Sequence, residues 1–136
     1  MTTPDPLITL LEAANAASPF HAITGFRILS AGAGEAVVVF DARPELMNHA
    51  AALHAGVQCA ALDTAAGYAA ASLAGAVVTL QMTTSFLNSA KGSHFRAAAR
   101  VAKDGRAQMF VTAELFVERD GKERLVATAS AVLAKP

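Results

Sequence analysis

Between Ala50 and Leu80 the chain is rich in alanine and carries a single carboxylate, Asp63. A membrane span needs about 20 predominantly apolar residues, usually without a central carboxylate, and this run is broken by His54, Gln58, Asp63 and several glycines. The same residues suit a helix from His54 to about Leu73 buried inside a folded domain. The remaining elements then have to wrap around that helix.

The flanking patterns predict what does the wrapping. Asp5 and Pro6 read as an N-cap and first-turn pair, and Leu7, Ile8, Leu10, Leu11 and Ala14 recur at helical spacing until Ser18-Pro19. Two β-rich runs follow, Thr24 to Leu29 and Ala36 to Phe40, joined by a connection whose Gly32 and Gly34 suit a hairpin. A dinucleotide fingerprint would need a third glycine and a following helix, and neither is present. A loop is expected from Arg43 to Leu53.

Beyond the central helix the period changes to two. Val78, Leu80, Met82 and Phe86 alternate with Thr79, Gln81, Thr83 and Ser85, as in a strand. Strands are predicted at about His94 to Ala102, Ala107 to Glu118 and Arg124 to Leu133, separated by the hairpin signals Asp104-Gly105 and Asp120-Gly121. The sum is an α+β domain: a short N-terminal helix, a hairpin, and an antiparallel sheet around a long central helix. No repeat, linker or shift in composition divides residues 1–136, so one domain is expected, with 1–18 as a helical extension.

Charge narrows the partners. Lys plus Arg equals 11 and Asp plus Glu equals 11, which provides no field to draw the chain onto nucleic acid or an anionic membrane. One cysteine, Cys59, allows no internal disulfide, and the first residues lack a basic and then an apolar segment, so a cytoplasmic setting is expected. With only 16% charged residues, self-association is expected to cover apolar surface.

Asp63 is the principal catalytic candidate, because an ionised carboxylate among Ala60, Ala61, Leu62, Ala65 and Ala66 is costly unless paired, hydrated or used. Gly56, Cys59, Ala60, Gly67 and Ala70 fall near its face of the helix and are small, which leaves room for a substrate. The start of the helix at Ala55-Gly56 offers unpaired N–H groups to an oxyanion. About 13 Å of helix separate His54 from Asp63, so one carbonyl cannot touch both ends within one chain. If both serve one reaction, the site combines two subunits.

These residues also carry a resemblance. Asn48, then His54-Ala-Gly56, then Asp63-Thr-Ala, followed by Val78-Thr79 opening a strand that ends in Phe86-Leu87, resembles the hotdog-fold thioesterases of the phenylacetate-pathway type. Gly105-Arg106 and the run Val126-Ala-Thr-Ala129 extend the match, which covers about Asn48 to Leu133. The resemblance implies a homodimer with one continuous sheet, commonly doubled to a homotetramer, that hydrolyses acyl- or aryl-CoA with no metal or other cofactor. It implies Asp63 as general base or nucleophile and the N–H of Ala55, with Gly56, as oxyanion donors. Asn48 would position water or carbonyl, and Thr79 would assist the acid across the interface. The usual His-Gly-Gly is His-Ala-Gly here, and relatives commonly have a glycine where His49 to Leu53 stand.

Other residues have plainer readings beside sharper ones. His54 can hold the loop instead of exchanging protons, and Asn48 can be a turn residue. Cys59 reads as a small core residue. His49 and His54 lack the spacing of a helical zinc pair, so no metal site is expected. Five of the Lys and Arg residues fall between Lys91 and Arg106; Lys91 and Arg106 are candidates for the phosphates of coenzyme A, while His94, Arg96 and Arg100 read as a solvated strand face. Tyr68 and Phe86 are candidate acyl contacts that also suit the core. Two rival functions stand beside hydrolysis: a non-catalytic acyl-CoA binder, and an enoyl-CoA hydratase or dehydratase, which would want a His beside Asp63.

Overall fold

The structure is a computed structural model, and it describes residues 5–136. The first helix, α1 (Pro6–Ala17), starts as its cap predicts: the Asp5 carboxylate accepts the Leu7 N–H at 2.9 Å, with Pro6 in the first turn. Residues 1–4 of the expected N-terminal extension lie outside the described residues. Ser18-Pro19 ends α1 and also opens a second helix, α2 (Pro19–Thr24). Proline cannot continue one helix but is well suited to the first turn of the next, and Gly25 closes α2 in the left-handed conformation at φ 75°. The strand expected from Thr24 therefore starts later: β1 is Arg27–Gly32. The Arg43 guanidinium donates to the Ala22 and Ile23 carbonyls at 3.1 and 2.8 Å, which ties down the end of α2.

The hairpin to β2 (Glu35–Asp41) turns through Ala33 and Gly34, both at positive φ. After a short 3-10 turn at Pro44–Leu46 inside the expected loop, α3 runs unbroken over Ala55–Ala74. The strands β3 (Val78–Phe86), β4 (His94–Asp104), β5 (Gln108–Arg119) and β6 (Lys122–Ala134) complete the chain. Asp120 and Gly121, at φ 53° and 73°, make the tight turn their sequence announces. Asp104-Gly105 does not make a two-residue turn, because β5 resumes only at Gln108. Gly105 is needed there for closeness: a Cβ on it would stand 2.4 Å from the Gln108 carbonyl oxygen.

All six strands pair antiparallel in the order β1-β2-β4-β5-β6-β3. Helix α3 crosses one face, packed mainly on β2, β4 and β5. Ala61, Ala65, Ala66 and Ala69 of α3 are buried in one core with Ala97, Ala99, Ala113 and Ala129 of the strands. Small side chains on both surfaces let the helix lie close to the sheet, and Phe40, Leu62, Phe95 and Leu115 are buried in the same core. Ala70 belongs to this core, fully buried, and is not part of an open face beside Asp63. β3 pairs only with β6 on one side, and its register shifts between Thr79 and Gln81. That bulge breaks the expected alternation: Val78 and Leu80 are exposed, and Met82 is the β3 side chain packed against the core.

Candidate active site

Asp63 lies near the middle of α3 and is partly buried. Thr79 Oγ1 donates to Asp63 Oδ1 at 2.6 Å, a short bond of the kind a charged acceptor makes. Thr79 was expected to help the acid from a neighbouring subunit. The contact is made here within the chain, because α3 turns back through Gly75 at φ 78° and delivers the start of β3 beside the helix. The second carboxylate oxygen has no partner among the described residues.

A cavity of about 500 Å³ opens beside this pair. Its floor is Asp63, Thr64, Gly67, Tyr68 and Ala71 of α3, and α1 supplies a wall of Leu7, Leu10, Leu11 and Ala14. Tyr68 is the one of the two expected acyl contacts that lines it. The Tyr68 hydroxyl donates to Asn15 Oδ1 at 2.6 Å, and the Asn15 amide donates in turn to the Phe26 carbonyl at 2.8 Å. Burial pushes the Tyr68 phenol up to about 12. Phe86 stands at the far end of β3, half exposed, outside this cavity. A larger depression of about 690 Å³ on the opposite face of the sheet is lined by small and polar residues such as Thr112, Ser130 and Arg100. Its carboxylates, Glu35 and Glu114, are exposed, whereas Asp63 is partly buried.

His21 was missed in the sequence. It lines the Asp63 cavity from α2, and its Nδ1 is buried with no partner. Burial lowers its pKa, with the Asn15 backbone pulling the other way. Nothing in the local pattern could have found it, because α2 has only six residues and no element was expected between Pro19 and Thr24.

The other predicted site residues gather at the start of α3. His54 is the N-cap, and its Nδ1 accepts the Gly56 N–H at 2.9 Å. The Gly56 donor is therefore taken, and the Ala55 N–H is left without a partner among the described residues. Asn48 Oδ1 accepts from the Ala50 and Ala52 N–H groups at 2.9 and 3.1 Å. This holds a tight turn in which Ala51 sits at φ 60°, a conformation that glycine adopts without strain. The Asn48 amide remains free to donate. Because α3 is unbroken from Ala55, this cluster stays about 13 Å along the axis from Asp63.

The basic candidates separate. Lys91 precedes β4 and Arg106 follows it, so roughly 30 Å of strand lies between them. One subunit cannot bring both to one phosphate. Arg96 is held by Glu123 at 2.6 and 2.9 Å and stacks over Phe116, and His94 meets Asp41 at 2.5 Å. Cys59 contacts the Thr84 hydroxyl at 3.7 Å.

A six-stranded antiparallel sheet packed on one long central helix is the hotdog fold. The Thioesterase superfamily profile matches residues 51–124, and the chain belongs to that superfamily. A thioesterase family protein from Silicibacter pomeroyi is 35% identical, with a TM-score of 0.91 over 94% of this chain and 96% of that one. A conserved protein from Pseudomonas aeruginosa is 27% identical, with a TM-score of 0.81 over 90% and 98% of the two chains. A mutant of the phenylacetic acid degradation protein PaaI from Thermus thermophilus shares the fold at 23% identity, with a TM-score of 0.78 over 88% and 100%. A comparison with curated protein sequences gives no match. No helix among the described residues is long and apolar enough to cross a membrane.

Proposed function

We propose that the protein hydrolyses acyl-CoA thioesters, with Asp63 as general base or nucleophile in a site shared between two subunits. The observation that carries this reading is the Thr79–Asp63 pair at the mouth of an apolar cavity. The Thr79 bond fixes one carboxylate oxygen and leaves the other to deprotonate water or to attack the carbonyl. A thiolate then leaves readily, its conjugate acid having a pKa of about 8.5. The carbonyl oxygen needs a donor as it gains charge, and the free Ala55 N–H at the positive end of α3 suits that role.

Two features support a dimer. The distance along α3 keeps the Ala55 donor of one chain away from Asp63 of the same chain, so a partner's helix start has to meet it. The outer edge of β3 is unpaired among the described residues, and Val78, Leu80 and Phe86 on it are 66, 54 and 50% exposed. An edge both apolar and open invites pairing with a second copy. Assembly of such dimers into a tetramer, a cytoplasmic setting, and coenzyme A phosphates bound by Lys91 of one subunit with Arg106 of another complete the proposal. Asn48 contributes its free amide to water or carbonyl, and His54 acts by ordering the first turn of α3.

The test is thiol release from a panel of CoA esters, with wild type and Asp63→Asn side by side. Hydrolysis should be lost in Asp63→Asn while ester binding persists; near-normal turnover in that variant would remove Asp63 from the mechanism.

A further inference from the structure

We infer that the cavity beside Asp63 is a channel for an unbranched, medium-length aliphatic acyl chain, and that Gly67 sets its width. The inference rests on the thioesterase reading above and gives that site its substrate class.

The cavity is long. Its lining runs along α3 from Asp63 to Gly75 and Ala76, over which the helix rises about 18 Å. An aryl ring joined to the thioester carbonyl would fill only the first part of that length. Most of the lining is aliphatic, with Leu7, Leu10, Leu11 and Ala14 from α1 and Val77 and Leu133 from the sheet side, and the rings of Tyr68 and His21 complete it. Leu10 is 71% exposed, and a chain lying in the channel would cover its apolar surface. Of the polar groups on the lining, His21 keeps a buried Nδ1 with no partner, while the Tyr68 hydroxyl is committed to Asn15. It anchors α1 over the channel and leaves the ring to face the ligand.

Gly67 gives the second argument. Glycine inside a helix is unfavourable relative to alanine, and two things commonly justify one: a positive φ or a close neighbour. Gly67 has neither, since it is absent from the positive-φ residues and a Cβ built on it meets nothing within 4 Å. Its missing side chain opens space in the channel, not in the protein's own packing.

The experiment compares wild type, Gly67→Ala and Gly67→Leu in kcat/KM for butyryl-, octanoyl-, lauroyl- and phenylacetyl-CoA, with Ala71→Leu as a second narrowing of the same wall. Gly67→Ala should raise Tm by roughly 4 °C, because only the helix gains. In wild type the lauroyl ester should exceed the butyryl and phenylacetyl esters. The lauroyl-to-butyryl ratio should fall at least tenfold in Gly67→Leu and in Ala71→Leu, the scale of discrimination that a methylene makes in a close pocket. A ratio unchanged in both leucine variants, or a wild-type preference for phenylacetyl-CoA, would overturn the channel. If wild type hydrolyses no ester, the failure belongs to the thioesterase reading. Calorimetry then decides the channel separately: tighter binding of lauroyl-CoA than of CoA, weakened in Gly67→Leu, supports it, and equal affinities reject it.

Discussion

Replacing Thr79 by valine removes one hydroxyl and little else, since both side chains are β-branched and suit a strand. The lost bond is the 2.6 Å donation to Asp63 Oδ1. Hydrogen bonds to charged groups contribute about 1.5 to 3 kcal/mol, and because Thr79 is exposed the lower end applies, about 1.5 kcal/mol. If that bond orients the carboxylate for attack, kcat should fall about tenfold, with KM little changed. The assay is thiol release at saturating ester for wild type, Thr79→Val, Asp63→Asn and the double variant. In the Asp63→Asn background the valine should cost less than about twofold, because the charge the hydroxyl orients is already gone. A single variant within twofold of wild type, or an undiminished tenfold loss on top of Asp63→Asn, would refute the coupling.

Ala55→Pro removes the proposed oxyanion donor at a helix position that tolerates proline, so it should fold and lose about a hundredfold or more in kcat. Mixed with Asp63→Asn under subunit exchange it should recover activity, and no recovery after proven exchange would return the site to one chain. Leu62→Ala, fully buried on α3, should cost about 2 to 5 kcal/mol, read from urea midpoints at fixed protein concentration. His21 has its pKa lowered by burial below the usual 6.5, so its contribution to stability is present above pH 6.5 and is lost as pH falls below it. His21→Gln should therefore lose less stability than wild type between pH 7 and pH 5; parallel losses would show that burial of His21 is not linked to folding.

The elements legible in the sequence were those with a long, uniform pattern. Helix α3 announced itself by an uncharged run around Asp63, the meander by two-residue alternation, and the β5–β6 turn by Asp120-Gly121. What escaped depends on short segments or on distant contacts. Helix α2 has six residues, too few to show a helical period, and Ser18-Pro19 reads as a stop unless the following turn is already known. Asp104-Gly105 read as a hairpin signal, but Gly105 serves a close approach, which only the folded hairpin reveals. The β3 bulge after Thr79 left no mark in the alternation. Asp63 stood out as a candidate because a carboxylate among alanines is costly anywhere. The cavity around it was not, because its walls come from α1 and α2, and local periodicity says nothing about which helix covers which.

The alanine seam between α3 and the sheet limits how a protein of this design can diversify. With Cβ atoms on both surfaces already in the core, an added methylene on either side would force the layers apart. The inner face of the helix is in effect frozen, and Asp63 inherits a fixed position from it. If the cavity takes the acyl group as proposed, a new acyl group would be accommodated on the outward side, by changes in α1 and in the few α3 residues that meet it. Asp63 and Gly67 thus share the outward side of the helix, and the inner side that holds them in place is the one resistant to substitution.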